Sequence, residues 1–139
     1  WVTNYPIKLR PKLNPRRFRA NNLDWWKNLN VKQYEAQWGG EVAADRLTNY
    51  LKPNFYTLYL RGKEFKKNMN KLIVENRLVP DTNGDIELLE AFWDFDDADF
   101  LPEVVPTLLV YADLIASNDP RNLETAKMIY DRLIQHANN

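Results

Sequence analysis

The chain has 139 residues, of which 45% are hydrophobic and 27% are charged, and its formal net charge is zero. This length corresponds to one domain, and the lack of cysteine excludes a disulfide scaffold, a thiolate metal site and a cysteine nucleophile. No apolar run approaches the roughly 20 residues of a membrane-spanning helix, so we expect no membrane association and a cytoplasmic location.

The charge is distributed unevenly along the chain. Residues 1–23 contain no acid but six basic residues, namely Lys8, Arg10, Lys12, Arg16, Arg17 and Arg19. Residues 78–120 contain eleven acids and neither lysine nor arginine. Two interpretations are open: the two segments attract each other within the fold, or the basic segment contacts nucleic-acid phosphates while acidic residues face a partner.

The first predicted element is a strand over residues 7–13, where apolar and basic residues alternate. Pro6 and Pro11 favour an edge position for this strand, because proline cannot donate a backbone hydrogen bond. Residues 17–19 are expected to continue the same ribbon after a turn. A short helical turn is predicted next, over residues 25–29.

Residues 38–62 predict a turn, a helix and a strand. The glycines at 39–40 form the turn, and the helix that follows is stopped by Pro53, because a residue before proline is disfavoured in the α region. Aromatic-rich alternation over residues 55–60 indicates the strand. Free backbone N–H groups at the helix start are suited to an anion, but the negative charge of Glu41 at that position argues against phosphate.

The middle of the chain predicts a second helix and a hairpin. Apolar residues recur on one face of a helix over residues 63–77. Asn83-Gly84 favours the turn that closes a hairpin, and we expect that hairpin over residues 78–93. The acidic loop at residues 94–99 lacks the spacing of a calcium-binding loop, so the sequence predicts no metal site.

The last third of the chain predicts two antiparallel helices joined by a short turn, an αα-hairpin. Pro106 suits the first turn of one helix, and Asp119 suits the cap of the other. Asp113 is an unusual charged residue in an otherwise apolar helix. We interpret it as structural, with Arg121 as a candidate partner.

The sequence contains no recognisable catalytic motif. His136 is the only histidine and lies near the chain end without a local acidic partner. No phosphate loop and no cofactor motif are found. Glu41, Asp45 and Asp113 can be selected as the metal-binding carboxylates of a nuclease or nucleotidyl-transferring enzyme, but their spacing does not fix a geometry. This enzyme is an open alternative, and convergence of the three carboxylates in space tests it.

Four segments, in order along nearly the whole chain, resemble one family. They are YPIKLRPKLNPRRFRA, QWGGEVAADRLTNYLKPNFYTLYLRG, RLVPDTNGDIELLEAFW and PTLLVYADLIASNDPRNLETAKMIYDRLI. Together they resemble the C-terminal part of bacterial AbiEi-type proteins, the antitoxin and transcriptional-regulator component of type IV toxin–antitoxin (abortive infection) systems. None of the motif positions is a catalytic signature; they include Trp38, Gly39, Gly40, Glu41, Tyr111, Asp113, Asp119 and Arg121.

This resemblance implies an architecture and partners. Full-length members have an N-terminal winged helix-turn-helix that binds promoter DNA, and residues 1–139 would be the single C-terminal domain that follows it. A chain that begins at Trp1 and not at Met agrees with such a fragment. The domain would counteract a nucleotidyltransferase-like toxin encoded beside it and support autoregulation, without catalysis and without a cofactor.

We therefore expect a single α+β domain with a small, mostly antiparallel sheet, helices packed on one face and a C-terminal αα-hairpin. The basic segment 8–19 is predicted to contact DNA phosphates, and the acidic region 81–103 is predicted to face a protein partner. A plain dimerisation domain is a further alternative, because the last two helices carry apolar stripes. Light scattering would detect the homodimer.

Overall fold

The structure, a computed structural model, describes residues 15–91, 103–117 and 119–138, with residues 133–138 described by their backbone alone. Several predictions therefore lie outside the described residues: the strand at 7–13, the basic residues Lys8, Arg10 and Lys12, the acidic loop at 94–99, and the side chain of His136. The described elements are β1 (Arg16–Ala20), a 3₁₀ helix (Val31–Tyr34), β2 (Ala36–Gly39), α1 (Gly40–Thr48), β3 (Tyr56–Leu60), α2 (Phe65–Glu75), β4 (Leu78–Pro80), β5 (Ile86–Glu90), α3 (Thr107–Ser117) and α4 (Pro120–Asn138).

The five described strands form one mixed sheet in the order β2-β3-β5-β1-β4. Strands β3 and β5 are parallel, and the other neighbouring pairs are antiparallel. The predicted α+β class and mostly antiparallel sheet are confirmed. Within the described residues, no helix is both long enough and apolar enough to cross a membrane.

The predicted hairpin between β4 and β5 is wrong, because β1 lies between these two strands and pairs with both. The turn itself forms: the Gly84 N–H donates to the Asp81 carbonyl at 2.9 Å, and the Asn83 N–H donates to the Asp81 side chain at 2.9 Å. The Asp81 N–H donates to the carbonyl of Arg17 in β1. A turn over residues 81–84 therefore reverses the chain, but neither Asn83 nor Gly84 has the positive φ of the predicted hairpin turn, and the two strand segments separate to accommodate β1.

The helices cover both faces of the sheet. Cross-strand partners share a face, so Arg16 and Leu88 lie on one face and Arg17 and Glu87 on the other. Helix α2 packs on the first face, where Met69 contacts the Arg16 guanidinium. Helices α1, α3 and α4 pack against one another on the opposite face. The predicted grouping on one face applies to these three helices, whereas α2 covers the other side of the sheet.

Helix α1 begins where β2 ends, and it ends earlier than the sequence pattern suggests. Asn49 adopts a left-handed conformation (φ 55°), and its N–H donates to the Asp45 carbonyl. This is a common way to end a helix. The chain therefore leaves the helix after Thr48, five residues before Pro53, and the short connection that follows returns to the start of β3.

The C-terminal αα-hairpin is confirmed, since α3 and α4 pack against each other over their described lengths. Asp119 precedes α4, and its side chain accepts a hydrogen bond from the Arg121 N–H at 2.9 Å, as expected for a helix cap. This cap fixes the first turn of α4 beside α1, where Arg121 and Asn122 reach the functional site.

Candidate functional site

A polar cavity of about 530 Å³ lies between the sheet and the helices on the α1, α3 and α4 face. Among the described residues at its wall, the carboxyl groups come from α1, β5, α3 and the start of α4, and one arginine comes from β1. Its charged and polar lining residues include Arg17, Glu41, Thr57, Glu87, Asp113, Ser117, Asp119 and Asn122. We call this space the polar cavity.

The double glycine allows α1 to start close to the sheet. Gly40 has a φ of +53°, which lies in a backbone region that residues other than glycine rarely adopt. A Cβ atom on Gly39 would lie 2.6 Å from the Tyr59 ring, and one on Gly40 would lie 3.0 Å from the Thr57 hydroxyl oxygen. Both positions therefore need glycine for space, and the resulting turn places Glu41 at the cavity wall.

Glu41 is 8% exposed and accepts three hydrogen bonds from two distant parts of the chain. Its Oε1 accepts from the Arg121 guanidinium at 2.8 Å and from the Asn54 N–H at 2.9 Å. Its Oε2 accepts from the Asn122 side-chain amide at 3.0 Å. A buried carboxylate is stable only when its charge and lone pairs are satisfied, and these donors supply both.

Arg121 connects three segments around Glu41. Besides its ion pair with Glu41, it donates from Nη1 to the Lys52 carbonyl at 2.6 Å and lies 3.7 Å from the Asp119 carboxylate. The predicted pairing of Arg121 with Asp113 is therefore wrong. Arg121 instead ties the start of α4 to α1 and to the connection before β3, so we assign this ion pair a bracing role.

Asp113 reaches the cavity from α3 and is 6% exposed. Its Oδ2 accepts a hydrogen bond from the Tyr59 hydroxyl at 2.8 Å. Tyr59 is on β3, on the face that α3 covers, so this bond joins the helix to the centre of the sheet. The glycine at position 39 leaves the space that the Tyr59 ring occupies.

Two further cavity residues come from the sheet. Glu87 is 3% exposed in the central strand β5, and the Thr57 hydroxyl donates to it at 3.4 Å. Arg17 is its cross-strand partner in β1. The Arg17 guanidinium donates through Nε to the Gly84 carbonyl at 2.8 Å and lies 4.8 Å from the centre of the Phe55 ring.

Of the eight motif residues, six lie in or beside the polar cavity: Gly39, Gly40, Glu41, Asp113, Asp119 and Arg121. The other two have packing roles elsewhere. Trp38 is fully buried in the core, and its backbone N–H donates to the Glu103 carbonyl at 2.7 Å. The Tyr111 ring contacts the Tyr130 ring on α4, with centroids 5.8 Å apart.

The carboxylates selected for the enzyme alternative do not converge as that alternative requires. Glu41 and Asp113 line the cavity, but Asp45 does not. Burial raises the pKa of the Asp45 carboxyl, and the neighbouring Arg46 charge opposes that rise. Within the described ranges, no three acidic, histidine or cysteine residues form a group that could hold a metal ion. The geometry gives this alternative no support.

The described basic residues do not share one surface. Arg16 and Arg19 are both exposed, but cross-strand pairing places Arg16 on the α2 face and Arg19 on the opposite face. Arg19 lies 3.8 Å from the Asp81 carboxylate. Arg17 is held within the fold by Gly84 and Phe55. Arg16 and Arg19 are the more exposed of the three described arginines in this segment, although the Arg16 guanidinium contacts Met69 and the Phe18 ring.

The site residues that sequence reasoning missed include Thr57, Tyr59, Glu87 and Asn122. One signal was available, because Glu87 is an acid flanked by apolar residues in a strand pattern, and a buried acid is often functional. The other three are ordinary polar residues whose role depends on contacts 30 or more positions away. Nothing in the local sequence marks them.

The fold and the site define an α+β domain with a polar cavity between its sheet and its helices. The hydrogen bonds of Glu41 with Arg121 and Asn122 brace this cavity. A family model described as "Transcriptional regulator, AbiEi antitoxin, Type IV TA system" matches residues 1–135. The chain therefore belongs to the AbiEi antitoxin family of type IV toxin–antitoxin systems, as the resemblance indicated, and this membership implies a toxin partner. No curated protein and no solved structure matches the chain significantly.

Proposed function

We propose that this chain is the C-terminal domain of an antitoxin that counteracts a nucleotidyltransferase-like toxin and, within a full-length protein, supports DNA-linked autoregulation. The observation that carries the proposal is the family match over residues 1–135. The domain acts in the cytoplasm through contacts and not through catalysis.

The first part of this proposal, counteraction of the toxin, is measured by the growth of cells that express the toxin. A toxin of the nucleotidyltransferase-like class arrests cells that express it, and the full-length antitoxin restores their growth. The exposed acids of region 81–103, which include Asp85 and Glu90, form the proposed partner surface, whereas Glu87 is buried in β5 and Asp81 lies beside Arg19. Growth of cells that express both proteins is the measurement.

The DNA-directed part concerns the basic segment. We propose phosphate contacts for Lys8, Arg10, Lys12, Arg16, Arg17 and Arg19, with the largest contributions from the outward-facing side chains. Each phosphate contact contributes about 0.9 to the slope of log affinity against log salt concentration. Because the Arg17 guanidinium is held by Gly84 and Phe55, we expect its contribution to be smaller than that of Arg16 or Arg19.

Replacing Arg16 and Arg19 together by alanine is expected to reduce this slope by about 1, because the two side chains lie on opposite faces of the sheet and one duplex contacts only one of those faces. The measurement is promoter-DNA binding by the full-length protein across a salt series. Lys67→Ala is a matched control, because Lys67 is an exposed base on α2 that pairs locally with Glu64. An unchanged slope in the double variant would rule out phosphate contacts by these two residues.

A further inference from the structure

We propose that an apolar patch on the αα-hairpin is the contact surface between two copies of this chain. The proposal goes beyond antitoxin function and does not rest on it, because it concerns the assembly of the domain and not its action on a toxin. It gives the homodimer that the sequence left open a defined surface. It depends on exposed apolar side chains of two helices and on the charges beside them.

Helix α3 differs from an ordinary surface helix because its exposed side carries no charge. The only charged residue in Thr107–Ser117 is Asp113, which is 6% exposed and accepts a hydrogen bond from the Tyr59 hydroxyl. By contrast, the exposed side of α2 carries Lys66, Lys67 and Lys71. Surface helices normally place charged and polar residues on the side that faces away from the core. The uncharged outer side of α3 is therefore suited to contact with another protein.

The apolar residues on the outer side of α3 continue onto α4. Leu108, Tyr111 and Ile115 are three and four residues apart, so they lie on one side of α3. Leu123 and Tyr130 are seven residues apart and lie on one side of α4. The Tyr111 and Tyr130 rings contact each other, with centroids 5.8 Å apart, and this contact joins the two rows. We call these five residues the hairpin patch.

The side chains of the hairpin patch are open to solvent in the single chain. Leu108 is 43% exposed, Leu123 is 38% exposed and Tyr130 is 48% exposed, while Tyr111 and Ile115 are partly buried. Association that removes this surface from water is favourable, because burial of apolar area is the main driving force of most protein–protein contacts. Tyrosine, which supplies two of the five side chains, is enriched at such interfaces.

The charges beside the hairpin patch are complementary to those of a second copy. Lys127 lies between Leu123 and Tyr130 along α4, and the exposed acids Glu124 and Asp131 lie one turn before and one turn after it. Among the described residues, neither Lys127 nor Asp131 has an ion-pair partner. About a two-fold axis perpendicular to α4, the two α4 helices run in opposite directions. Lys127 of each copy can then face Asp131 of the other, so the same ion pair forms twice.

The overall charge of the chain is also compatible with self-association. The chain has 19 basic and 19 acidic residues, so two copies do not repel each other at long range. A two-fold contact places the same patch on both sides, and a patch without charged residues contains no group that repels its own copy. A strongly charged partner such as nucleic acid gains little from this surface, because the charges beside it nearly cancel.

Sedimentation-velocity ultracentrifugation of the chain over a concentration series measures the association. We expect a reversible dimer with a dissociation constant of roughly 10–100 μM, because the patch is at the small end of specific interfaces. Leu108→Asp and Leu123→Asp are each expected to raise this constant about 10-fold or more, because each places an unpaired charge in the contact. Both positions are within the first four residues of a helix, where an acidic side chain is compatible with folding.

Leu23→Asp is the matched control for the two patch variants. Leu23 is an apolar residue that is 80% exposed and lies outside α3 and α4. The same substitution there is expected to leave the dissociation constant unchanged. Circular dichroism of all three variants checks that they fold.

A spin label locates the contact while the hairpin patch stays unaltered. The chain contains no cysteine, so a label on Met128→Cys, at a 40% exposed position of α4, attaches only there. This copy is mixed with an isotopically labelled copy that carries no spin label. We expect the NMR signals of Leu108, Tyr111 and Ile115 of the isotopically labelled copy to broaden. A label on Val74→Cys, at a 75% exposed position of α2, is expected to leave these signals sharp.

Three results would overturn the proposal: a monomer at every concentration, an unchanged dissociation constant in Leu108→Asp, or broadening that spares the hairpin patch. If neither patch variant folds, the spin-label experiment on the unaltered patch decides. A chain that stays monomeric and uses this patch only for a toxin gives the first of these results. None of them affects the proposed antitoxin function, since growth of toxin-expressing cells measures that function separately.

Discussion

Replacing Glu41 with alanine is expected to lower the free energy of unfolding by about 3 kcal/mol, because removal of one partner leaves the other groups of a buried ion-pair cluster uncompensated. The variant leaves the Arg121 guanidinium without its carboxylate and the Asn122 amide and Asn54 N–H without their acceptor. Urea unfolding followed by circular dichroism measures the change. The partial exposure of Arg121 keeps the expected effect at the lower end of the range for buried pairs.

Two variants control for this result. Glu41→Gln keeps an oxygen for the Arg121 guanidinium but removes the charge, so we expect a smaller loss of about 1–2 kcal/mol. Glu64→Ala removes an exposed glutamate that pairs with Lys67, and surface pairs of this type contribute about 0–1 kcal/mol. If Glu41→Ala were no more destabilising than Glu64→Ala, the buried cluster would not brace the domain.

Replacing Gly84 with alanine is expected to lower the free energy of unfolding by about 3 kcal/mol, because the added methyl group forces the backbone to move. A Cβ atom at this position would lie 1.9 Å from the Phe18 carbonyl oxygen and 2.4 Å from the Phe18 carbonyl carbon. Both atoms belong to the backbone of β1 and cannot rotate away as a side chain can. The Arg17 guanidinium also binds the Gly84 carbonyl, so movement here disturbs the cavity wall. Thermal or urea unfolding measures the loss.

Gly62→Ala is the matched comparison. Gly62 has a φ of +94°, and a Cβ atom there would lie 2.5 Å from Oε2 of Glu35, at the end of a flexible side chain that can move aside. We expect a loss of about 1 kcal/mol from the unfavourable backbone conformation. A β4–β5 hairpin with an ordinary Asn-Gly turn would not place β1 against Gly84. If Gly84→Ala and Gly62→Ala lowered the free energy of unfolding by the same small amount, β1 would not lie between β4 and β5.

Elements determined by local periodicity were predictable from the sequence. The apolar residues Phe65, Met69 and Leu72 predict a helix, and α2 contains all three over Phe65–Glu75. Alternation over residues 55–60 predicts a strand, and β3 forms at Tyr56–Leu60. The end of α1 was predicted too late because Pro53 is a strong sequence signal for a helix end. Asn49, whose left-handed conformation ends the helix, is a weaker signal in the sequence.

The order of the strands could not be predicted, because it depends on contacts between distant segments. The turn over residues 81–84 reverses the chain whichever strands pair beside it. The Asn83-Gly84 dipeptide therefore predicts a hairpin even where another strand is inserted. Insertion of β1 depends on its pairing with β4 and β5, which lie more than 55 residues further along the chain. Such pairings are fixed by packing and not by local propensity.

The candidate site was predictable only in part. The glycines at 39–40, Glu41 and Asp113 were singled out from the sequence, and the structure places them together. Their partners could not be assigned, since Glu41 and Arg121 are 80 positions apart and Tyr59 and Asp113 are 54 positions apart. Sequence spacing offered Arg121 to Asp113, because they lie in the two consecutive helices of the αα-hairpin, whereas in the fold the Arg121 guanidinium binds Glu41 of α1.

The proposed antitoxin function is tested most directly by the growth of cells that express the proposed nucleotidyltransferase-like toxin together with the full-length protein. We predict that the intact protein and its Glu64→Ala variant restore growth, and that restoration is lost when residues 1–139 are removed. Failure of the intact protein to restore growth, or full restoration by a protein that lacks residues 1–139, would contradict the proposed toxin counteraction by this domain.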